Sequence, residues 1–103
     1  MSGALFETFI LSEIIKSYWN YGMEAPLWNY RTKEKEEIDI LIDRNGKLYP
    51  VEIKLSSRIL TEDLRGIKSL ERTGFPLGKS VFISASSKPY LLDKNTTVVP
   101  YTI

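Results

Sequence analysis

Cysteine and histidine are both missing from the 103-residue chain. Without cysteine there is no disulfide framework, no thiol nucleophile and no Cys-based zinc site. Without histidine there is no Ser-His-Asp or Cys-His triad, no HExxH zinc motif and no imidazole proton shuttle. A charge excess is missing as well: 14 Lys+Arg stand against 13 Asp+Glu, a formal net charge of +1. That balance speaks against a stand-alone, tight nucleic-acid binder, which carries a clear basic surplus. Long apolar runs are also lacking. Stretches such as Val81-Phe82-Ile83 fall far short of the roughly 20 residues that a membrane span needs, and the N-terminus has no basic-then-apolar signal pattern. The expectation is a cytoplasmic protein with no membrane partner, whose chemistry rests on carboxylates, Lys, Tyr, Ser or Thr.

What is present suffices for a core. Hydrophobic residues make up 43% and aromatics 12%, which argues against wholesale disorder. The length suits one domain, 1–103. A helical pattern begins almost at Met1 and a strand pattern runs to Ile103, so the expectation is a domain excised from a longer chain.

Leu5, Phe6, Phe9, Ile10, Ile14, Tyr18 and Trp19 recur at helical spacing and predict an amphipathic helix over 4–20, capped by Ser2 and stopped at Gly22. A short strand is expected at Pro26–Arg31, with Trp28 and Tyr30 read as core or interface. Glu37–Asp43 alternates strictly, and Lys47–Leu55 completes a hairpin around Asn45-Gly46, the strongest short hairpin signal. Thr61 is expected to cap a second helix whose apolar stripe is Leu60, Leu64, Ile67 and Leu70, with Glu62 and Asp63 placed for the dipole and Gly74 and Pro76 ending it. Ser80–Ser84 reads as a central strand. Thr96–Ile103 reads as a last strand, pushed to an edge or an irregular end by Pro100 and available to pair across a homodimer. The fold class is α/β in the order α-β-β-β-α-β-β, a central mixed sheet flanked by helices.

The hairpin carries the chemistry. A two-residue turn pairs Arg44 with Lys47, Leu41 with Pro50, Asp39 with Glu52 and Glu37 with Lys54. Ile38, Ile40, Ile42, Tyr49, Val51 and Ile53 then form one apolar face. Pro50 falls at an open pair, where its missing N–H is not needed. Asp39 and Glu52 also fall at an open pair, where side chains come closest and like charges repel. Such a pair is tolerated if something positive lies between the acids, and Lys54 points the same way as Glu52. Two carboxylates and a lysine make a divalent-cation site plausible, with oxygen ligands suited to Mg²⁺ or Mn²⁺. The plain alternative is a solvated strand face with a Glu37–Lys54 ion pair. A β-bulge would break the register.

Helix, then Asp39, then Glu52-Ile53-Lys54, then helix and strand resembles the PD-(D/E)XK restriction-endonuclease-like superfamily. Glu7 matches the additional helix acid of many members, including archaeal Holliday-junction resolvases. The resemblance implies catalytic roles for Asp39, Glu52 and Lys54, metal ligation by Glu7, Asp39 and Glu52, and Mg²⁺-dependent cleavage of DNA phosphodiesters. Arg31 and Ser56 are weaker candidates for phosphate contact.

A closer resemblance runs through Gly3-Ala-Leu-Phe-Glu-Thr-Phe, Ser12-Glu-Ile-Ile-Lys16, Tyr30-Arg-Thr, Glu37-Ile-Asp-Ile-Leu-Ile42, Leu48-Tyr-Pro-Val-Glu-Ile-Lys54 and Val98-Val-Pro-Tyr101. These segments are similar to the C-terminal domain of unknown function of prokaryotic P-loop (AAA+-type) ATPases. That likeness implies an ATPase domain as partner, and this segment has no GxxxxGK[ST] nucleotide site of its own. Two functions follow as expectations: a metal-dependent endonuclease or resolvase module, or a non-catalytic nuclease-like module that binds DNA or protein and regulates the ATPase.

Overall fold

The computed structural model describes residues 2–101. Helix α1 spans Gly3–Asn20, and the Ser2 hydroxyl accepts the Leu5 N–H at 3.1 Å. Strands β1 (Leu27–Arg31), β2 (Glu37–Arg44) and β3 (Lys47–Lys54) follow. A 3₁₀ turn, Thr61–Leu64, leads into helix α2 (Arg65–Arg72), and β4 (Ser80–Ser84), β5 (Tyr90–Asp93) and β6 (Thr96–Pro100) complete the chain. The six strands form one mixed sheet in the order β1-β2-β3-β4-β6-β5. Pairing is antiparallel from β1 to β3, parallel from β3 through β4 to β6, and antiparallel between β6 and β5. The architecture is thus mixed α/β. Among the described residues no helix is long and apolar enough to cross a membrane.

The two faces of the sheet are buried separately. Phe6 and Ile10 of α1 pack on Ile40, Val51 and Ile53. On the other face Ile67 and Leu70 of α2 pack on Ile38, Leu41, Phe82 and Val98. Phe82 and Val98 are paired neighbours on β4 and β6 and are almost wholly buried, as expected of central parallel strands with helices on both sides.

The hairpin register holds for five pairs, from Arg44↔Lys47 to Ile40↔Val51. Asn45 (φ 53°) and Gly46 (φ 79°) both take the positive φ of a type I′ turn. Nothing lies within 4 Å of where a Cβ on Gly46 would project, so Gly46→Ala tests backbone conformation alone. Its expected cost is about 1 kcal/mol, read as a shift of the urea unfolding midpoint with the slope unchanged. Pro50 is tolerated on an interior strand because it sits opposite Leu41, while the β3–β4 ladder begins one residue later at Val51↔Val81.

Four expectations are corrected. The pairs Asp39–Glu52, Ile38–Ile53 and Glu37–Lys54 do not continue the ladder. Between Trp28↔Leu41 and Tyr30↔Ile38, two steps along β1 are matched by three along β2. This bulge turns Ile38 onto the α2 face with Leu41, away from Ile40, so the single apolar face divides. Second, Thr96–Pro100 is not an edge: β6 bonds to β4 on one side and β5 on the other. The edge strands are β1 and the unforeseen β5, and Thr102 and Ile103 lie outside the described residues. Third, Thr61 opens a 3₁₀ turn, with α2 proper starting at Arg65. Fourth, Leu60 is exposed rather than part of the inward stripe; of the aromatics read as core or interface, Tyr30 packs against the core and Trp28 is exposed.

Candidate functional site

The bulge decides where the acids go. Past Ile40↔Val51 the main chains of β2 and β3 stop pairing, and two carboxylates complete the rungs. The Asp39 N–H donates to Glu52 Oε1 at 2.8 Å, and the Ile53 N–H donates to Asp39 Oδ2 at 3.0 Å. Each acid is therefore anchored by an amide of the opposite strand. The anchoring fixes their mutual placement, because each carboxylate commits one oxygen to a main-chain donor. Glu52 is 9% exposed. It pairs with Phe82 across the β3–β4 ladder.

Glu7, exposed on α1, faces this pair. Partial burial raises its carboxyl above the ordinary value, with further contributions from Asp39 and then Glu37. Burial pushes Glu52 up to about 8; the Asp39 amide opposes that shift, and the charges of Asp39 and Glu7 add to it. Glu7 and Glu52 are thus both held back from ionising, in part by the charge of Asp39, at the opening where β2 and β3 part. A hard divalent cation relieves this kind of imbalance, and an all-oxygen donor set suits Mg²⁺ or Mn²⁺. Among the described residues, no three acids already stand at ligand spacing around one point. The arrangement is a locked pair, Asp39 and Glu52, with Glu7 adjacent.

The expected positive charge is not between the acids. Lys54 Nζ bonds Asp63 Oδ1 in the 3₁₀ turn, and the other oxygen of Asp63 accepts the Leu60 N–H at 2.7 Å. Glu37 pairs instead with Arg31, its neighbour on β1, at 3.0 Å. Arg31 is thereby engaged by Glu37, whose charge also acts on Glu7. The Ser56 hydroxyl closes a local turn with the main chain of Arg58.

Asp63 stands in the first turn with Glu62, as expected, but its pairing with Lys54 was not foreseen. Its reach back to Leu60 follows the pattern of an acid three residues after a helix cap, but no local signal announces a lysine nine positions earlier. Asp63→Ala removes both contacts. The expected loss is about 1–2 kcal/mol, most of it from the cap, since the ion pair is part-exposed. Denaturant unfolding checks it, and Lys54→Met, which keeps the cap, should lose less.

A family model described as "Domain of unknown function (DUF4143)" matches residues 2–103. No curated protein matches the chain. Among solved structures, it is similar to a chain in the refined half-complex from the tetradecameric assembly of Thermococcus gammatolerans McrB AAA+ hexamers with bound McrC. The TM-score is 0.57 at 15% identity, over 96% of this chain and 27% of that one. At that identity the likeness is one of fold, and this chain spans 27% of the length of the one it matches.

Proposed function

The chain belongs to the DUF4143 family of domains of unknown function, and on that premise we propose that it is a nuclease-like domain of the PD-(D/E)XK, restriction-endonuclease-like kind. Its activity is Mg²⁺- or Mn²⁺-dependent hydrolysis of DNA phosphodiesters, of endonuclease or resolvase type, within a longer ATPase chain. The observation that carries the reading is the pair Asp39–Glu52 at the fork between β2 and β3, with Glu52 buried, its ionisation opposed by burial and by the charge of Asp39, and Glu7 beside it.

Asp39, Glu52 and Glu7 would hold the cation, each locked acid through the oxygen not spent on an amide. When bound, the ion lowers the pKa of a water and neutralises charge developing on the phosphate. The chain's own residues do the rest. The two amide bonds hold Asp39 and Glu52 in place before substrate arrives, so no reorganisation is needed at the moment of reaction. Lys54, two residues beyond Glu52, is the cationic group that orients the attacking water or stabilises phosphate charge once it leaves Asp63. Arg31 and Ser56 remain secondary phosphate contacts. The near-neutral chain leaves most DNA affinity to the other parts of the protein, and the AAA+ assembly in which the structural neighbour occurs supports an ATPase as that partner.

The engagement of Lys54 by Asp63 favours a second reading, a non-catalytic module that binds DNA or protein and regulates the ATPase. Incubating the full parent protein with supercoiled and branched DNA in Mn²⁺ separates the two. Cleavage lost in both Glu52→Gln and Lys54→Ala supports catalysis here. DNA binding without cleavage by the wild type supports the second reading, and cleavage that survives both substitutions rules out this site.

A further inference from the structure

At the other end of β3 lies a cleft of about 550 Å³ that the site above does not use, and we infer that it binds a nucleotide unit, phosphate on its lysines and base on its aromatics. The volume falls within the range of small-ligand sites, about 300–1,000 Å³. Lys47, Lys68 and Lys79 line it. Among the described residues Lys47 and Lys79 make no ion pair, while Lys68 has a loose one with Glu71 at 3.6 Å. Two acids face the lysines. Glu71 is the partner just named. Asp93 accepts the Asn95 N–H at 2.8 Å and also feels the charge of Lys68, which leaves three lysines against two acids. The cleft therefore keeps a positive surplus on a chain with almost no net charge.

Two aromatic rings, Tyr49 and Phe75, border it. The Tyr49 ring lies against Gly78 so closely that a Cβ there would stand 2.0 Å from the ring. The strand-like stretch around Gly78 is tied to β3 by Leu48 N–H to Pro76 O at 3.0 Å and Gly78 N–H to Leu48 O at 2.9 Å. Tyr49 is thus fixed in orientation before any ligand arrives. Phe75, 55% exposed, also borders the cleft. An exposed ring beside unpaired lysines suits a ligand that is both flat and anionic, since a base stacks on any aromatic face for about 1–3 kcal/mol. The cleft is separate from the acids: Glu52 lies three residues, about 10 Å, further along the strand from Tyr49.

The test uses the 103-residue chain at low salt, titrated with adenosine diphosphate, adenosine, inorganic phosphate and a ten-nucleotide single strand of DNA, and followed by amide NMR shifts. Diphosphate nucleotide should shift Gly78 and Asn95 and bind at least tenfold more tightly than phosphate or adenosine alone. Phe75→Ala should weaken nucleotide binding about tenfold and leave phosphate unchanged. The Lys47→Glu, Lys79→Glu pair should lose both. Tighter binding by the oligonucleotide assigns the source of the unit to a nucleic-acid strand, and tighter binding by the diphosphate to a free nucleotide. Equal affinity for nucleotide and phosphate, shifts confined to other residues, or binding unchanged by the double charge reversal overturns the inference.

Discussion

Glu52→Gln should make the metal-free protein more stable, by about 3 kcal/mol at pH 7 and more above pH 8. Burial is the main cause. A carboxyl that ionises near 8 in the fold, but near its ordinary value once unfolded, binds its proton more tightly in the native state. Its contribution is complete below about pH 4.5, declines as pH rises toward 8, and is flat beyond. Each tenfold difference in proton affinity between the folded and unfolded chain corresponds to about 1.4 kcal/mol. Glutamine holds no charge to bury, and its amide oxygen can still accept the Asp39 N–H. Thermal unfolding between pH 4 and 9 should show a falling melting temperature for the wild type and a much flatter line for the variant. Mg²⁺ should restore the wild type at high pH and leave the variant where it was. Parallel pH curves for the two proteins would mean that the buried charge of Glu52 does not govern the pH dependence. Equal stabilisation of both by Mg²⁺ would remove Glu52 from the cation site.

Gly66→Ala should cost about 3 kcal/mol or more, a large share of the stability of a domain this size. A Cβ on Gly66 would sit 1.9 Å from the carbonyl oxygen of Glu37 and 3.1 Å from the Ile38 side chain. Since the nearest obstacle is main chain, no rotamer change relieves it, and α2 must lift from β2. The residues pushed upon immediately precede Asp39. Loss of stability should therefore come with altered amide signals at Asp39 and Ile53, whose N–H groups make the reciprocal bonds. Gly22→Ala is the control: it shares the loss of a glycine, but nothing lies within 4 Å of its Cβ position, so its cost is that of the positive φ alone. Similar losses for the two variants would mean that the close approach of α2 to β2 is not what Gly66 serves.

The parts of this molecule visible in the sequence are those that local chemistry specifies. Asn45-Gly46 set the turn, and the turn set five rungs of register, as far as Ile40↔Val51. The apolar period placed α1, and the run Ser80–Ser84 marked a buried central strand. What escaped depends on neighbours distant in sequence. The bulge in β2 is a mismatch against β1, and no residue between Ile38 and Leu41 is a glycine that would flag it. Strand β5 is four residues, Tyr90–Asp93, without alternation, and it exists because β6 offers a free edge beside it. Lys54 lies within reach of Asp63 only because the 3₁₀ turn folds back over the end of β3. Asp39 and Glu52 meet through side chain to main chain bonds rather than by the simple cross-strand facing that the register implied.

Those reciprocal bonds between Asp39 and Glu52 also bear on how such domains can be compared. The two acids finish the rungs that the main chain leaves open, so selection for a closed hairpin is enough to keep them whether or not the domain cleaves anything. Their retention in a relative is weak testimony for catalysis. Lys54 closes no rung, and its loss would harm the fold far less. If the proposed activity holds, a lysine at that position is therefore the sharper mark of a domain able to cleave.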